Sequence, residues 1–215
     1  MTGLGRRWFV VGTPLVFAGV SVFHPLSHPA ELAGGGVSRW IAVHLLQLVL
    51  SVLLAISVWL LLDGIQSRAA TAARLAVPVW LAFFSAFDGV AGLGTGWMAH
   101  AAHGHVGEEQ AATVRAIREL FEQNWLTGNL SVAGSVAGLS WLVIALASAV
   151  ALSRAGADRI TVVLMGASLL FANHPPPTGT LGLLALAAAS YRWMRQRQEV
   201  GQSLSGSGIT PRVVR

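Results

Sequence analysis

Residues 75–98 read LAVPVWLAFFSAFDGVAGLGTGWM, and this apolar run contains a single charged side chain, the carboxylate of Asp88. Apolar stretches of about 18 residues or more are typical of transmembrane helices. A carboxylate at membrane depth is costly, and it is usually paired or placed in a cavity. The run therefore predicts a membrane helix, and it makes the surroundings of Asp88 the central question about function.

The composition of the whole chain also indicates a membrane protein. Its 215 residues are 54% hydrophobic and 11% charged, whereas soluble domains carry about 25% charged residues. We expect one membrane-embedded helix bundle over residues 1–195 and a disordered cytoplasmic tail over residues 196–215. The chain contains no cysteine, which excludes disulfides, thiolate metal sites and a cysteine nucleophile.

The apolar runs predict an all-α polytopic bundle of five or six transmembrane helices. The last two runs have 13 residues each. Such a run gives about 20 Å of helix, which is short for a hydrocarbon core of about 30 Å. These two runs either extend into the connection between them or form a hairpin that enters the membrane without crossing it. The runs are residues 8–23, 40–62, 75–98, 126–152, 160–172 and 181–193.

A long polar connection, residues 99–125, separates the third run from the fourth. Within it Val114, Ile117 and Phe121 lie at helical spacing among charged residues, and this pattern predicts an amphipathic helix. We expect that helix to lie on the outer membrane surface or to cap the bundle.

The arginines predict the orientation of the chain. If the N-terminus is cytoplasmic, eleven arginines lie on the inner side, and only Arg39, Arg115 and Arg118 lie outside. Basic residues are enriched in cytoplasmic loops, so both termini are expected in the cytoplasm, with the chain crossing the plasma membrane several times. This bias accounts for the net charge of +5 without a nucleic-acid partner.

With this orientation, polar side chains from five separate segments converge on the outer half of the membrane. They are His24, His28, His44, Asp88, Asn129 and His174. Polar residues at membrane depth usually mark functional sites. The convergence therefore predicts a polar pocket in the outer half of the bundle.

An acid-initiated enzyme is the function that this pattern favours. Desolvation disfavours the charged form of a carboxyl group, so Asp88 is a candidate proton donor. His24, His44 and His174 are candidates for setting its protonation state or taking a proton back. We expect no cofactor.

A stripe of aromatic residues beside Asp88 suggests where a substrate binds. Aromatic faces attract cations, so the stripe suits a reaction that passes through a carbocation. We therefore expect a lipophilic small-molecule substrate, such as an isoprenoid, that reaches the site from the membrane lipid. The predicted substrate-binding residues are Trp80, Phe83, Phe84 and Phe87 at i, i+3, i+4 and i+7, together with His28 and Asn129.

Three other interpretations remain open. The first is a metal or haem site, since imidazole suits zinc and copper, with His24, His28, His44 and His174 as ligands. The second is a small transporter or proton pathway, because intramembrane Asp and His are common there. The third is a structural role at helix ends. His100, His103 and His105 fit a solvated loop, and known phosphate-loop, dinucleotide and hydrolase motifs are absent.

Four short motifs carry a family resemblance. They are Phe23-His24-Pro25, His44-Leu45-Leu46, Asp88-Gly89 and Asn129-Leu130. In these motifs and in its layout the chain resembles a group of small actinobacterial multi-pass membrane proteins. In its size and its intramembrane acidic residue it is also similar to integral-membrane terpene cyclases, which protonate an alkene or epoxide of an isoprenoid chain. That similarity implies acid-initiated cyclisation or isomerisation.

Overall fold

A computed structural model of the chain describes residues 3–32, 35–126 and 131–206. Within these ranges the protein is all-α and contains no strand, as the sequence predicts. The α-helices are α1 (Gly3–Val22), α2 (Gly35–Leu61), α3 (Arg68–Phe87), α4 (Thr95–Ala102), α5 (Gly107–Arg118), α6 (Val132–Arg154), α7 (Arg159–Ala167) and α8 (Thr178–Gly206).

In the part of the chain that the structure describes, three helical spans are long and apolar enough to cross a membrane. They are Gly36–Leu61, Arg68–Ala102 and Val132–Arg154. Large apolar side chains also lie on the outside of the bundle, and Leu139 and Val163 are 64% and 69% exposed. Extended apolar surface of this kind fits contact with lipid better than contact with water.

The span that carries Asp88 is one continuous helix with a change of winding. A π-helical segment, Asp88–Gly94, joins α3 to α4, and the whole span has 35 residues. It begins before the apolar run because the Ser67 side chain caps it, accepting a hydrogen bond from the N–H of Ala70 at 3.1 Å. Arg74 therefore lies on the helix, and its guanidinium donates to backbone carbonyls of the preceding connection.

The apolar core is built around large aromatic rings. The Trp80 ring of α3 lies 4.9 Å from that of Trp141 of α6. Phe171 lies 4.9 Å from Trp141 and 5.2 Å from Phe17 of α1. These four side chains are almost completely buried. They hold α3 against α6 and bring α1 and the segment after α7 onto the same core.

The C-terminal helix is longer than the apolar run 181–193. It begins at Thr178 and continues to Gly206, so residues 196–206, expected to start a disordered tail, are helical. An ion pair between Arg195 and Glu199 at 2.9 Å spans one helical turn and supports the helix in this polar stretch. Residues 207–215 of the predicted tail lie outside the described residues.

The polar connection after α4 contains the amphipathic helix α5, which continues as a π-helical segment, Glu119–Gln123. Ile117 of α5 is fully buried against Val37 and Ala99. Glu122 lies 3.2 Å from the imidazole of His28, which follows α1. The helix therefore packs onto one end of the bundle.

The two ends of the bundle differ in their polar residues. We call the end that α5 covers the histidine end, because His24, His44 and His174 lie close together there. We call the opposite end, where Arg6 pairs with Asp63 and Arg192 pairs with Asp158, the arginine end.

Candidate functional site

Two glycines bring the π-helical span close to α2. A Cβ atom on Gly96 would lie 2.7 Å from Cδ1 of Trp40, and a Cβ atom on Gly92 would overlap the imidazole of His44. The Trp40 indole N–H donates to the carbonyl of Gly92 at 2.7 Å. The glycine-rich stretch 92–96 is therefore a packing surface. The π-helical segment within it is of a kind that often occurs at functional sites.

The orientation and tautomer of His44 follow from its own helix. Its Nδ1 lies 2.8 Å from the carbonyl oxygen of Trp40, four residues earlier. A carbonyl oxygen only accepts, so Nδ1 carries the hydrogen. In the neutral ring Nε2 then keeps its lone pair, and this atom lies 3.9 Å from Oδ1 of Asp88.

Asp88 is buried without a hydrogen bond. Its side chain has no exposed surface, and neither carboxyl oxygen has a hydrogen-bond partner in the part of the chain that the structure describes. The 3.9 Å separation from His44 is too long for a hydrogen bond. Nearly all buried polar groups in native proteins are hydrogen-bonded, so an exception calls for a specific explanation.

His24 connects this pair to a second histidine. Its Nδ1 donates to the carbonyl of Pro25 at 2.8 Å, and its buried Nε2 has no partner among the described residues. The His24 ring centroid lies 4.9 Å from that of His44 and 5.5 Å from that of His174. We call the series His174, His24, His44 and Asp88 the acid–base chain.

An aromatic cavity of about 110 Å³ lies at one end of the acid–base chain. His174 lines it, and its ring stands edge-on to Phe84 and Phe87 at 5.7 and 5.8 Å. The cavity is smaller than the roughly 150 Å³ that holds one benzene molecule, so it has room for the end of a chain. Its aromatic lining consists of Trp80, Phe84, Phe87, Trp141 and Phe171.

Of the predicted site residues that the structure describes, five lie outside this cavity: His24, His28, His44, Phe83 and Asp88. Asp88 does not line it and faces His44 of α2. Phe83 packs against the edge of the apolar core, although it was expected to share the binding face of Trp80, Phe84 and Phe87. The acidic group and the aromatic stripe are therefore connected only through the histidines.

A surface groove of about 270 Å³ meets the chain at His24. Trp40, Phe121 and His28 also line it. Nδ1 of His28 accepts a hydrogen bond from the N–H of Ala30 at 3.1 Å, so Nε2 carries the proton and faces Glu122. His28 therefore serves to attach the α5 region over the groove.

Among the described residues, the three histidines near the end of α4 take no part in this arrangement. Asn129 lies outside the described residues. His100 is in the last turn of α4, and His103 and His105 follow in the turn after it. Within the described ranges, no group of three or more His, Asp or Glu side chains is arranged to hold a metal ion.

Sequence reasoning missed Trp40 and Gln47. Gln47 is fully buried on α2, and neither its amide oxygen nor its nitrogen has a partner in the described part of the chain. His44, Gln47 and Ser51 are separated by three and four residues, which places them on one helix face. That spacing of polar residues in an otherwise apolar helix was the signal available in the sequence.

Comparisons of this chain with protein-family models, with curated proteins and with solved structures found no match, so the conclusion about function depends on the geometry of the acid–base chain and the aromatic cavity.

Proposed function

We propose that this protein is a plasma-membrane enzyme that transfers a proton to and from the end of a lipophilic substrate, such as an isoprenoid. The aromatic cavity receives the substrate end, and His174 is the group that exchanges the proton with it. His24, His44 and Asp88 hold the proton and return it. This proposal revises the role of Asp88 from direct donor to proton store.

The main observation in support of the proposal is the position of His174. It lines the aromatic cavity together with Phe84 and Phe87, and its ring is also 5.5 Å from that of His24. A proton donor must lie within reach of the reacting atom. Among the acid–base groups, His174 is the one that meets both the cavity and the chain.

The chemistry balances without a cofactor. Protonation of a substrate double bond forms a new C–H bond and leaves a carbocation, whose charge the faces of Phe84, Phe87 and Trp80 stabilise. Loss of a proton from a neighbouring carbon to the neutral His174 then restores a double bond. The net result is isomerisation, or cyclisation when a second double bond attacks the cation.

The same proposal includes six crossings of the membrane with both termini cytoplasmic. Asp158, just before α7, contacts Arg192 at the arginine end, whereas His174, which follows the 3₁₀ segment Ser168–Ala172 after α7, belongs to the histidine end. This favours passage of both α7 and α8 through the full bundle rather than a hairpin. The arginine bias supports the assignment of the arginine end to the cytoplasm.

Deuterium incorporation tests the enzymatic proposal directly. The full chain in nanodiscs is incubated with farnesol, a C15 prenyl alcohol, in D₂O, and products are analysed by mass spectrometry. We expect isomerised or cyclised products that carry carbon-bound deuterium. His174→Ala and Asp88→Asn should each reduce incorporation at least about a hundredfold, since general acid–base groups contribute factors of about 10² to 10⁴.

Two controls separate chemistry from folding. His103→Ala removes an exposed histidine of the turn after α4, and Glu108→Gln removes an exposed carboxylate. Both should retain wild-type incorporation. Wild-type incorporation by His174→Ala, in a protein with an unchanged thermal midpoint, would exclude His174 as the donor.

A proton pathway is the second candidate, and Gln47 is the observation that favours it. Gln47 and Ser51 continue the polar face of His44 toward the arginine end, and both are fully buried. Proton flux into liposomes containing a pH-sensitive dye would be expected to fall in Gln47→Leu. An enzyme without a pathway would show deuterium incorporation and no flux.

A further inference from the structure

A cavity of about 540 Å³ lies at the arginine end, far from the acid–base chain. It opens between three segments: the connection from α2 to α3, the end of α6 and the polar part of α8. Its size is within the range of about 300–1,000 Å³ typical of small-molecule sites. The lining residues that carry polar side chains are Gln66, Ser67, Arg154, Trp193, Gln196 and Arg197.

Two arginines give this cavity its charge. Arg154 is exposed, and no hydrogen bond or ion pair to it is found within residues 3–32, 35–126 and 131–206. Arg197 donates one hydrogen bond, from Nη1 to the carbonyl of Asp63 at 3.1 Å. The cavity lining includes no acidic side chain, so the positive charge is not neutralised there.

Trp193 adds a buried donor without an acceptor. The residue is 5% exposed, lines the cavity and lies beneath the guanidinium of Arg197, whose carbon is 5.7 Å from the ring centroid. Its Nε1 has no hydrogen-bond partner in the described part of the chain. A buried indole N–H usually finds one.

The start of α3 contributes further donors. Ser67 lines the cavity as the N-cap of this 20-residue helix. The first backbone N–H groups of a helix have no partner within the helix, and together with the helix dipole they attract anions. These backbone donors add to the two arginines and the indole. The location of the site follows from the arginines and the indole alone.

From this excess of donors over acceptors we infer that the cavity at the arginine end binds a phosphate group, carried either by an anionic lipid headgroup or by free phosphate. A phosphate oxygen accepts hydrogen bonds without donating, and the arginine fork matches its geometry. The site is separate from the acid–base chain, and its test does not depend on the proposed enzymatic function.

The experiment measures binding to the full chain in nanodiscs of phosphatidylcholine alone or of phosphatidylcholine with phosphatidylglycerol. Retained lipid is counted by native mass spectrometry, and inorganic phosphate is titrated separately into the phosphatidylcholine sample. We expect retained phosphatidylglycerol in the wild type. Arg154→Gln combined with Arg197→Gln should weaken binding at least about tenfold, since each charge-assisted hydrogen bond contributes about that factor.

Matched variants distinguish the site from general basic charge. Arg159→Gln removes an exposed arginine at the same end that does not line the cavity, and it should bind like the wild type. Trp193→Phe keeps the ring and removes the N–H, and it should bind a few-fold more weakly. If the double arginine variant has a lowered thermal midpoint in phosphatidylcholine, Trp193→Phe tests the site in its place.

Each result decides the inference. Retained phosphatidylglycerol that depends on Arg154 and Arg197 identifies the lipid headgroup, and inorganic phosphate binding with the same dependence identifies free phosphate. Binding of neither probe overturns the inference. Binding that Arg159→Gln weakens as much as the double variant would also overturn it, because the effect would then be one of net charge.

Discussion

The two ends of the bundle differ in how their acidic side chains are hydrogen-bonded. At the histidine end Asp88 is fully buried, and its carboxyl oxygens have no partner among the described residues. At the arginine end Asp158 receives hydrogen bonds from the backbone and side chain of Thr161 and from Arg192. The first arrangement costs stability, whereas the second contributes to it.

If the proposed function is correct, this difference separates residues that take part in the chemistry from residues that stabilise the fold. An unpaired buried polar group costs about 1–3 kcal/mol, and such a cost persists when the group serves a function. A capped helix start contributes about 1 kcal/mol to stability. Substitutions at the two ends should therefore change different measured quantities.

The largest effect is expected at Gly92, where the two spans of the histidine end touch. Gly92→Ala places a methyl group into the His44 ring, and overpacking of this kind costs about 1–3 kcal/mol. We expect the free energy of unfolding, measured by SDS titration in micelles, to fall by that amount, and deuterium incorporation to be lost.

Gly89→Ala is the matched control in the same π-helical segment. A Cβ atom on Gly89 meets no heavy atom within 4 Å, so this variant should be as stable as the wild type or slightly more stable. Equal destabilisation by the two variants would mean that the close contact between Gly92 and His44 does not determine the loss of stability.

A smaller loss is expected from Trp40→Phe. The variant removes the indole N–H that donates to the Gly92 carbonyl, an oxygen that also accepts from the backbone N–H of Thr95. The Thr95 hydroxyl has its shorter contact with the carbonyl of Ala91. A typical hydrogen bond contributes about 1 kcal/mol, and we expect a decrease of that size in the same SDS titration. Trp97→Phe, an exposed indole, should change nothing. An unchanged free energy in Trp40→Phe would show that the hydrogen bond from the indole does not stabilise the fold.

At the arginine end the expected effect depends on pH. The side-chain hydrogen bond from Thr161, with further hydrogen bonds from its backbone and Arg192, lowers the pKa of Asp158 from 3.8 to about 2. A lowered pKa in the folded state stabilises the protein above the unfolded value, and this contribution is lost as the pH falls from about 4 to 2. Thr161→Val should raise the pKa of Asp158 toward 3.8 and reduce the loss of thermal midpoint between pH 5 and 2.

The wild type is the reference for that measurement, because other carboxylates titrate in the same range. The informative quantity is the difference in acid sensitivity between the two proteins. An identical fall of the midpoint in Thr161→Val and in the wild type would show that the hydroxyl does not hold the carboxylate of Asp158.

The smallest effect is expected at the ion pair between Arg6 and Asp63. The two groups are 2.8 Å apart, but the Asp63 side chain is 64% exposed, and exposed pairs contribute about 0–1 kcal/mol. Asp63→Asn should lower the free energy of unfolding by no more than that, and high salt should remove the difference. A loss as large as that of Gly92→Ala would contradict the contrast between the two ends.

The membrane class and the gathering of His24, His44, His174 and Asp88 at one end of the bundle were predictable because they depend on long-range patterns. The run 75–98 is apolar enough to identify a membrane span. The distribution of arginines predicted which polar residues lie at the same end of the bundle as Asp88. The helix start at Ser67 was not predicted, since a single capping side chain extends the helix through polar residues that look like a loop.

The direction in which Asp88 points could not be read from the sequence. Regular α-helical spacing puts Asp88 one residue beyond Phe87 and beside the aromatic stripe. The π-helical segment that begins at Asp88 changes the winding from that position onward, because its hydrogen bonds join residues five apart. Asp88 itself keeps α-helical backbone angles, so the altered winding affects the residues after it. The spacing of residues 84–88 therefore does not reveal that the carboxyl group faces His44 while Phe84 and Phe87 line the cavity.

The indole of Trp40 can stabilise a positive charge at this site without a bound anion. Its ring centroid lies 4.4 Å from that of His44, with 33° between the planes, and tryptophan has the aromatic face that attracts cations best. A proton that leaves Asp88 for His44 creates two opposite charges in an apolar interior, and the indole stabilises the positive one. In the proposed function, Trp40 would therefore lower the free-energy cost of the positive charge on His44.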